Sequence, residues 1–308
     1  MQRKSWAGAA AIGVLLAGCG GSDIGGTSQP DSGAVPLATT ADALRELGNT
    51  IAAVRLVQTP LPGACSSGSD VITGPASKSR AFVYYSPFTG SVVYETHNYS
   101  ACAQSSNATT LDGLLEAGAT ADSAYAYAVR GSPTAVLLVR SSGVDGSGTA
   151  VSIAQSLVGT IETHTISGTQ SEVRSGLQTK KQQTPTSGSS ATYQNLFAVG
   201  VNGPTFDVLS DSSGNGGNGS ESIAGSYNYN STVCSGGTAL AATPSALLLT
   251  PSSDGSYRYA TGGALTVSAG ANSVTYAFSA SGATLSGSVS GSLSSSEVQQ
   301  AFGTGSGC

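Results

Sequence analysis

The sequence predicts a mainly β fold of antiparallel sheets, sandwich-like or open-barrel-like, in two β-rich halves with a short helix near each end. Three observations lead to this fold class. Short runs of β-branched and aromatic residues recur along the chain, apolar and polar residues alternate within them, and turns rich in glycine, serine and asparagine separate them. Helical spacing of apolar residues is clearest in one segment near each end.

The first predicted element is a helix that begins after Thr39. Thr39 and Asp42 have the spacing of a capping box, in which the two side chains satisfy backbone N–H groups of the first turn. Apolar residues then recur at helical intervals, namely Leu44, Leu47, Ile51 and Val54. The sequence PLPG at residues 60–63 ends this helix.

The first strands are predicted from pairs of apolar runs that flank a turn. Residues 81–85 (AFVYY) and 91–97 (SVVYETH) predict one hairpin. Residues 135–139 and 150–154 predict a second hairpin around Asp145-Gly146.

Residues 152–164 (SIAQSLVGTIETH) have an apolar spacing that also suits a helix, and we interpret them as a strand. Between residues 265 and 293, apolar residues alternate through two turns, which predicts consecutive antiparallel strands with one buried face. A capping box from Ser294 to Glu297 then begins the last helix.

An internal repeat suggests how these elements are divided. Cys102 and Cys234 are each followed, at the same spacing, by two tyrosines: Tyr125 and Tyr127, and Tyr257 and Tyr259. Tyrosines alternating on unrelated strands would give the same spacing. Three segments are predicted: a helix with a β-rich half at 39–210, a Gly/Asn-rich linker at 211–220, and a β-rich half with the terminal helix at 221–308.

The start of the chain has the features of an export signal. Arg3 and Lys4 precede an apolar stretch that is too short to span a bilayer, and Leu16-Ala17-Gly18-Cys19 follows it. This order resembles the signal peptides of bacterial lipoproteins, whose lipobox is L-[AS]-[GA]-C. The resemblance implies that residues 1–18 are a signal peptide removed by cleavage before Cys19. It also implies that Cys19 carries a membrane anchor of fatty acids such as palmitate.

The resemblance also implies a location in the cell envelope. Gly20 stands where an aspartate would favour the inner membrane, so a lipid anchor in the outer membrane, on its periplasmic face, is expected. Residues 19–38 are rich in glycine, serine and proline and predict a flexible tether between this anchor and the folded body.

The charge of the chain excludes some partners. Lys and Arg number 12 and Asp and Glu 17; removal of Arg3 and Lys4 leaves 12 − 2 = 10 basic residues and a net charge of 10 − 17 = −7. No basic stripe is present, which argues against nucleic-acid binding and against a polybasic lipid patch. Contact with a membrane is therefore expected through Cys19, and no protein or glycan partner is indicated.

The remaining cysteines predict disulfide bonds. An even number of cysteines in an exported chain implies two bridges. We predict Cys65–Cys102 and Cys234–Cys308; a rival connectivity joins Cys65 to Cys308 and Cys102 to Cys234. No Cys-x-x-Cys pair is present, so neither a zinc knuckle nor a thioredoxin-like redox site is indicated.

The sequence Glu-Thr-His occurs twice and raises the question of a metal site. On a strand, Glu95 and His97 would share one face, as would Glu162 and His164, so two neighbouring strands could offer zinc a set of four ligands. Nothing in the pattern shows that these strands pair, and the same residues make an ordinary solvated face. We therefore predict no metal site here.

A calcium loop is a second possible metal site. Asp211, Ser213 and Asn215, followed by Gly216, resemble the first half of such a loop, in which oxygen ligands alternate before a sharp turn. A Gly/Asn-rich linker accounts for the same residues, and no metal or other cofactor is predicted.

Catalytic motifs are missing from the sequence. It contains no G-x-S-x-G, no H-E-x-x-H and no Walker A motif. The leading hypothesis is therefore a non-catalytic structural or binding module of the envelope, with no catalytic residues. The alternatives are a carbohydrate or small-ligand binder that uses exposed tyrosines, and a hydrolase or metal-dependent enzyme that uses His97 or His164.

Overall fold

The computed structural model describes residues 33–104, 109–132, 135–144, 149–186, 193–201, 203–234 and 236–304. Within these residues a helix comes first, fifteen strands follow, and a second helix closes the fold. Their bounds are α1 Thr40–Val57, β1 Ser67–Ala81, β2 Thr89–Gln104, β3 Thr109–Thr120, β4 Tyr125–Arg130, β5 Leu137–Val144, β6 Ala150–Thr165, β7 Gln170–Pro185, β8 Tyr193–Val199, β9 Phe206–Asp211, β10 Gly219–Ser231, β11 Gly237–Pro251, β12 Arg258–Ala269, β13 Asn272–Ser279, β14 Gly282–Gly287, β15 Gly291–Ser294 and α2 Ser295–Thr304.

All fifteen strands belong to one antiparallel sheet that follows the order of the chain. Strands β4 and β5 lie in line, since both pair with β3 and β6. In the same way, β8 and β9 both pair with β7 and β10. Within the described residues, β1 and β15 are the edges. The prediction of a mainly β, antiparallel fold with a helix near each end is confirmed.

The sheet continues through the predicted linker at 211–220. Strands β9 and β10 pair directly on either side of it, and a short 3-10 turn at Asn215–Gly217 connects them. Gly216 and Gly217 both have a positive φ, a conformation that glycine adopts without strain. The two predicted halves therefore share one sheet, and this segment is the turn of a hairpin.

The first hairpin differs from its prediction. Its first strand is the polar segment Ser67–Ala81, and the apolar run predicted as a strand at residues 81–85 leaves the sheet after Ala81. The predicted second strand lies within β2, as expected. Residues 150–165 form strand β6, so the strand interpretation of the ambiguous segment is confirmed.

Helix α1 begins as predicted. Thr39 Oγ1 accepts a hydrogen bond from the backbone N–H of Asp42, and the Asp42 carboxylate accepts one from the backbone of Thr39. The second capping box is confirmed by the same reciprocal bonds between Ser294 and Glu297.

The sheet curls around α1. The helix touches β7, β10 and β15. In a flat sheet β7 and β15 would lie seven strand spacings of about 4.8 Å apart, roughly 34 Å, whereas a helix is only about 10 Å wide. We call the face that holds α1 the inner face and the opposite one the outer face. The main hydrophobic core fills the space between the inner face and both helices.

The last residues of the predicted tether belong to the folded body. Ala34 forms a parallel bridge with Thr238 at the start of β11, and Val35 and Leu37 are buried. Burial of two apolar side chains fixes this segment, whereas its glycine, serine and proline content had predicted a tether as far as residue 38. We call the end of the sheet next to Thr238 the tether end.

After α1, residues 58–66 cross the inner face toward the tether end. Arg130 donates a hydrogen bond to the carbonyl of Thr59, and Gln104 donates one to the carbonyl of Gly63 over 3.1 Å. The Cys65–Cys102 disulfide then fixes the start of β1, which confirms this predicted pair and excludes the rival connectivity. A cross-link over a sequence separation of 37 stabilises a fold by about 4 kcal/mol in the chain-entropy model.

Candidate functional site

The two predicted histidines lie on opposite faces of the sheet. His97 pairs with Leu115, a buried residue of the inner core, so its side chain lies on the inner face. His164 pairs with Tyr125, which packs in a second apolar cluster on the outer face. Because the sheet separates them, the two Glu-Thr-His segments do not converge on one ion.

His97 forms a pair with an aspartate that the sequence did not single out. Its Nδ1 lies 2.8 Å from Asp70 Oδ2, and its Nε2 lies 3.8 Å from Glu95 Oε2. The ring stacks on Tyr99 at 5.6 Å between centroids. Burial, with Asp70 nearby, raises the pKa of Tyr99 to about 12. The arrangement holds the imidazole in one orientation between two carboxylates.

His164 is part of a stack of rings on the outer face. Its imidazole is parallel to the Tyr125 ring at 4.4 Å, and Phe88 stacks on Tyr125 at 4.0 Å. Tyr85 meets both Tyr125 and His164 edge to face. Phe88 and Tyr85 belong to residues 82–88, which connect β1 to β2 and fold over the outer face; we call this segment the strap.

Glu162 holds the strap down. Its side chain is fully buried, and its two carboxylate oxygens accept hydrogen bonds from the backbone N–H groups of Val83 (2.9 Å) and Tyr84 (2.8 Å). Arg80 lies 3.5 Å from the same carboxylate. The prediction that Glu162 lies on a solvated face is therefore wrong, because the strap covers it and supplies two donors for its charge.

Arg174 of the neighbouring strand β7 also binds the strap. It donates hydrogen bonds to the carbonyl of Tyr84 (2.8 Å) and to Glu172 (3.0 Å), and it lies over the Tyr85 ring. Its Nε is 3.6 Å from Asp207 Oδ2. Burial raises the pKa of Asp207 to about 6, against the opposing effect of Arg174. The outer-face cluster is thus a packed mixture of rings and charges.

A third polar cluster fixes α1 to the inner face. Glu46 is fully buried and accepts hydrogen bonds from the hydroxyls of Tyr229 (2.6 Å) and Tyr227 (3.0 Å). Arg45 Nε lies 3.3 Å from the same carboxylate. Burial raises the pKa of Glu46, and the tyrosine bonds oppose that effect. The alternating Tyr-x-Tyr of β10 was the sequence signal for these partners.

The tyrosines are mostly packing residues. Of the eleven whose side chains are described, five are buried: Tyr99, Tyr127, Tyr227, Tyr229 and Tyr276. The other six are half-buried: Tyr84, Tyr85, Tyr94, Tyr125, Tyr257 and Tyr259. Among these eleven side chains there is no exposed row of the kind that a stacking platform for sugars requires.

The calcium-like segment closes a turn. Asp211 accepts hydrogen bonds from the Gln170 side chain (2.9 Å) and from the backbone N–H of Ser213 (2.8 Å), and these bonds lower its pKa. Ser213 and Asn215 are exposed. In the part of the chain that the structure describes, no three His, Cys, Asp or Glu side chains are grouped to hold a metal ion.

Two of the predicted cysteine sites lie outside the described residues. These two sites are Cys19 and Cys308, so lipidation of Cys19 and the Cys234–Cys308 bond stay predictions. Cys234 itself is disulfide-bonded.

No helix among the described residues is long and apolar enough to cross a membrane.

Comparison with known proteins gives no relative. No family model matches the chain, and neither a curated protein nor a solved structure matches it.

Proposed function

We propose that this chain is a lipid-anchored protein of a bacterial cell envelope, held in the outer membrane by Cys19, and that its folded body is a non-catalytic structural or binding module. The observation that carries the proposal is the order of the first residues: a basic start, a short apolar stretch, then Leu16-Ala17-Gly18-Cys19. Cytosolic chains rarely keep stable disulfides, so the Cys65–Cys102 bond supports export independently.

The way the chain joins the sheet agrees with an anchor at one end. Ala34, which forms the bridge with Thr238, lies fifteen residues after Cys19 in the sequence, and α1 begins only a few residues later. An anchor at Cys19 would therefore place the tether end of the sheet toward the membrane.

The side chains that could have served catalysis have structural partners. His97 is held between Asp70 and Glu95, and His164 is stacked on Tyr125. The Glu162 carboxylate accepts a hydrogen bond from the backbone of the strap, and the Glu46 carboxylate of α1 accepts one from Tyr229. These contacts favour a module that presents a rigid surface over one that carries out acid–base chemistry.

Detergent phase partitioning of two variants tests the anchor. Wild type should enter the detergent phase, because each buried methylene of its acyl chains contributes about 0.8 kcal/mol. Cys19→Ser should move to the aqueous phase. Gly20→Asp is the matched control: it keeps the cysteine and should stay in the detergent phase, but it should fractionate with the inner membrane. If Cys19→Ser partitions like wild type, the proposed anchor is wrong.

A further inference from the structure

The inner face changes from apolar to polar toward the tether end. Strand β7 directs Thr179, Lys181 and Gln183 to this face, because Thr179 pairs with Phe197 and Phe197 pairs with Tyr229, a partner of the inner Glu46. One row nearer the tether end, Lys181 lies between Gln155 of β6 and Asn195 of β8. Side chains that face each other across strands stand about 5 Å apart, so these three polar groups are neighbours.

Gln183 is the least expected residue of this row. It is only 3% exposed, yet neither its Nε2 nor its Oε1 has a hydrogen-bond partner among the described residues. A buried amide without partners is unfavourable, and such groups are rare in native proteins. Its position two residues after Lys181 puts both side chains on the same face of β7, about 7 Å apart along the strand.

Lys181 is a half-buried cation without a carboxylate partner among the residues described. Burial alone lowers its pKa to about 8. Lys78, by contrast, forms an ion pair with Glu116. The buried carboxylate of Glu46, on the inner face, is already held by two tyrosines.

We propose that Lys181 and Gln183 form a binding site on the inner face for a singly charged oxyanion, a phosphodiester or a carboxylate. Lys181 supplies the compensating charge, and the Gln183 amide donates a hydrogen bond to an oxygen of the ligand. Leu157 and Leu177, which follow on the same face toward the centre of the sheet, are buried and make an apolar floor beside the site.

Such an oxyanion has two sources. Because the site lies toward the tether end, a phospholipid headgroup is one source, and a small soluble metabolite is the other. This inference gives the proposed binding module a ligand class. It rests on the lipid anchor only in naming the headgroup as a source, so binding of a soluble anion stands even if Cys19 is not lipidated.

Titration of the full chain carrying Cys19→Ser, followed by backbone amide NMR at pH 6.5, tests the site. The probes are dimethyl phosphate and acetate at constant ionic strength, and vesicles of phosphatidylglycerol or phosphatidylcholine. Saturable shifts are expected at residues 153–157, 179–183 and 195–197, with a Kd on the order of 1 mM. Saturation by the soluble probes alone indicates a metabolite, and saturation by phosphatidylglycerol as well indicates a headgroup.

Three variants distinguish the site from general charge attraction. Lys181→Met should weaken binding about tenfold, the usual effect of losing one charge-assisted hydrogen bond. Gln183→Leu should also weaken binding while the protein stays folded, because leucine suits a buried position. Lys180→Met removes the same charge from the outer face and should change Kd less than about twofold. Equal weakening by both lysine variants, or the lack of saturable shifts up to about 50 mM, would overturn the proposal.

Discussion

Replacing Glu46 by alanine removes the carboxylate that joins α1 to the inner face of the sheet. Glu46 is fully buried and accepts hydrogen bonds from Tyr229 at 2.6 Å and Tyr227 at 3.0 Å. The Tyr227 hydroxyl keeps another acceptor, the backbone carbonyl at position 46 at 3.3 Å, whereas the Glu46 carboxylate is the acceptor for Tyr229. The variant therefore leaves at least one tyrosine hydroxyl buried without its acceptor and opens a small cavity beside it.

The expected loss follows from these contacts. Each hydrogen bond to a charged group contributes about 1.5–3 kcal/mol, and the desolvation of the carboxylate offsets part of that gain. Breaking a buried charged network typically costs about 3–5 kcal/mol, which is the decrease expected in the free energy of unfolding for Glu46→Ala. Glu95→Ala is the matched control. Its side chain is 44% exposed, so a change within about 0.5 kcal/mol is expected.

Urea denaturation followed by circular dichroism measures both values, since the transition midpoint shifts with stability at constant slope. A double-mutant cycle with Tyr229→Phe should give a coupling energy of at least about 1 kcal/mol, as for residues in one hydrogen-bond network. If Glu46→Ala loses no more than Glu95→Ala does, then α1 is not held by this carboxylate and the reasoning fails.

Two further predictions concern charge and connectivity. Burial raises the pKa of Asp207 from 3.8 to about 6, so its contribution to stability is present below about pH 4 and is lost as the pH rises through 6. Asp207→Asn should flatten that part of the stability–pH curve. If the free energy of unfolding, measured by urea denaturation at several pH values, falls with pH in the variant as it does in wild type, the prediction is wrong. Peptide mapping without reduction should recover a peptide that joins Cys234 to Cys308. A peptide that links Cys308 to any other cysteine would refute the pairing.

Patterns among nearby residues predicted the helices and strands whose formation depends on short-range interactions. The capping box of Thr39 and the apolar spacing after it predicted α1, and alternation predicted the strands between residues 265 and 293. In these segments one face is buried, so apolar residues recur in the sequence at the period of a helix or a strand.

Strand β1 and the strap could not be predicted in this way. Most side chains of the edge strand Ser67–Ala81 are exposed, so no apolar alternation indicates it, and Asp70 was missed with it. The strap is apolar because Phe82 and Tyr85 pack on the outer face, which imitates a strand signal.

The buried glutamates depend on contacts between distant segments. Glu162 is buried because the strap, some eighty residues earlier, supplies its donors. Glu46 is buried because two tyrosines of β10 reach it. In the sequence both resemble ordinary surface acids, and only tertiary pairing distinguishes them.

The mass of the N-terminal peptide of the membrane-extracted protein tests the central claim most directly. A lipid-anchored protein should yield a peptide that begins at Cys19 and carries a thioether-linked diacylglycerol with a further acyl chain on its amino group. A peptide that retains Met1, or one that begins at residue 19 or later without acyl chains, would contradict the account.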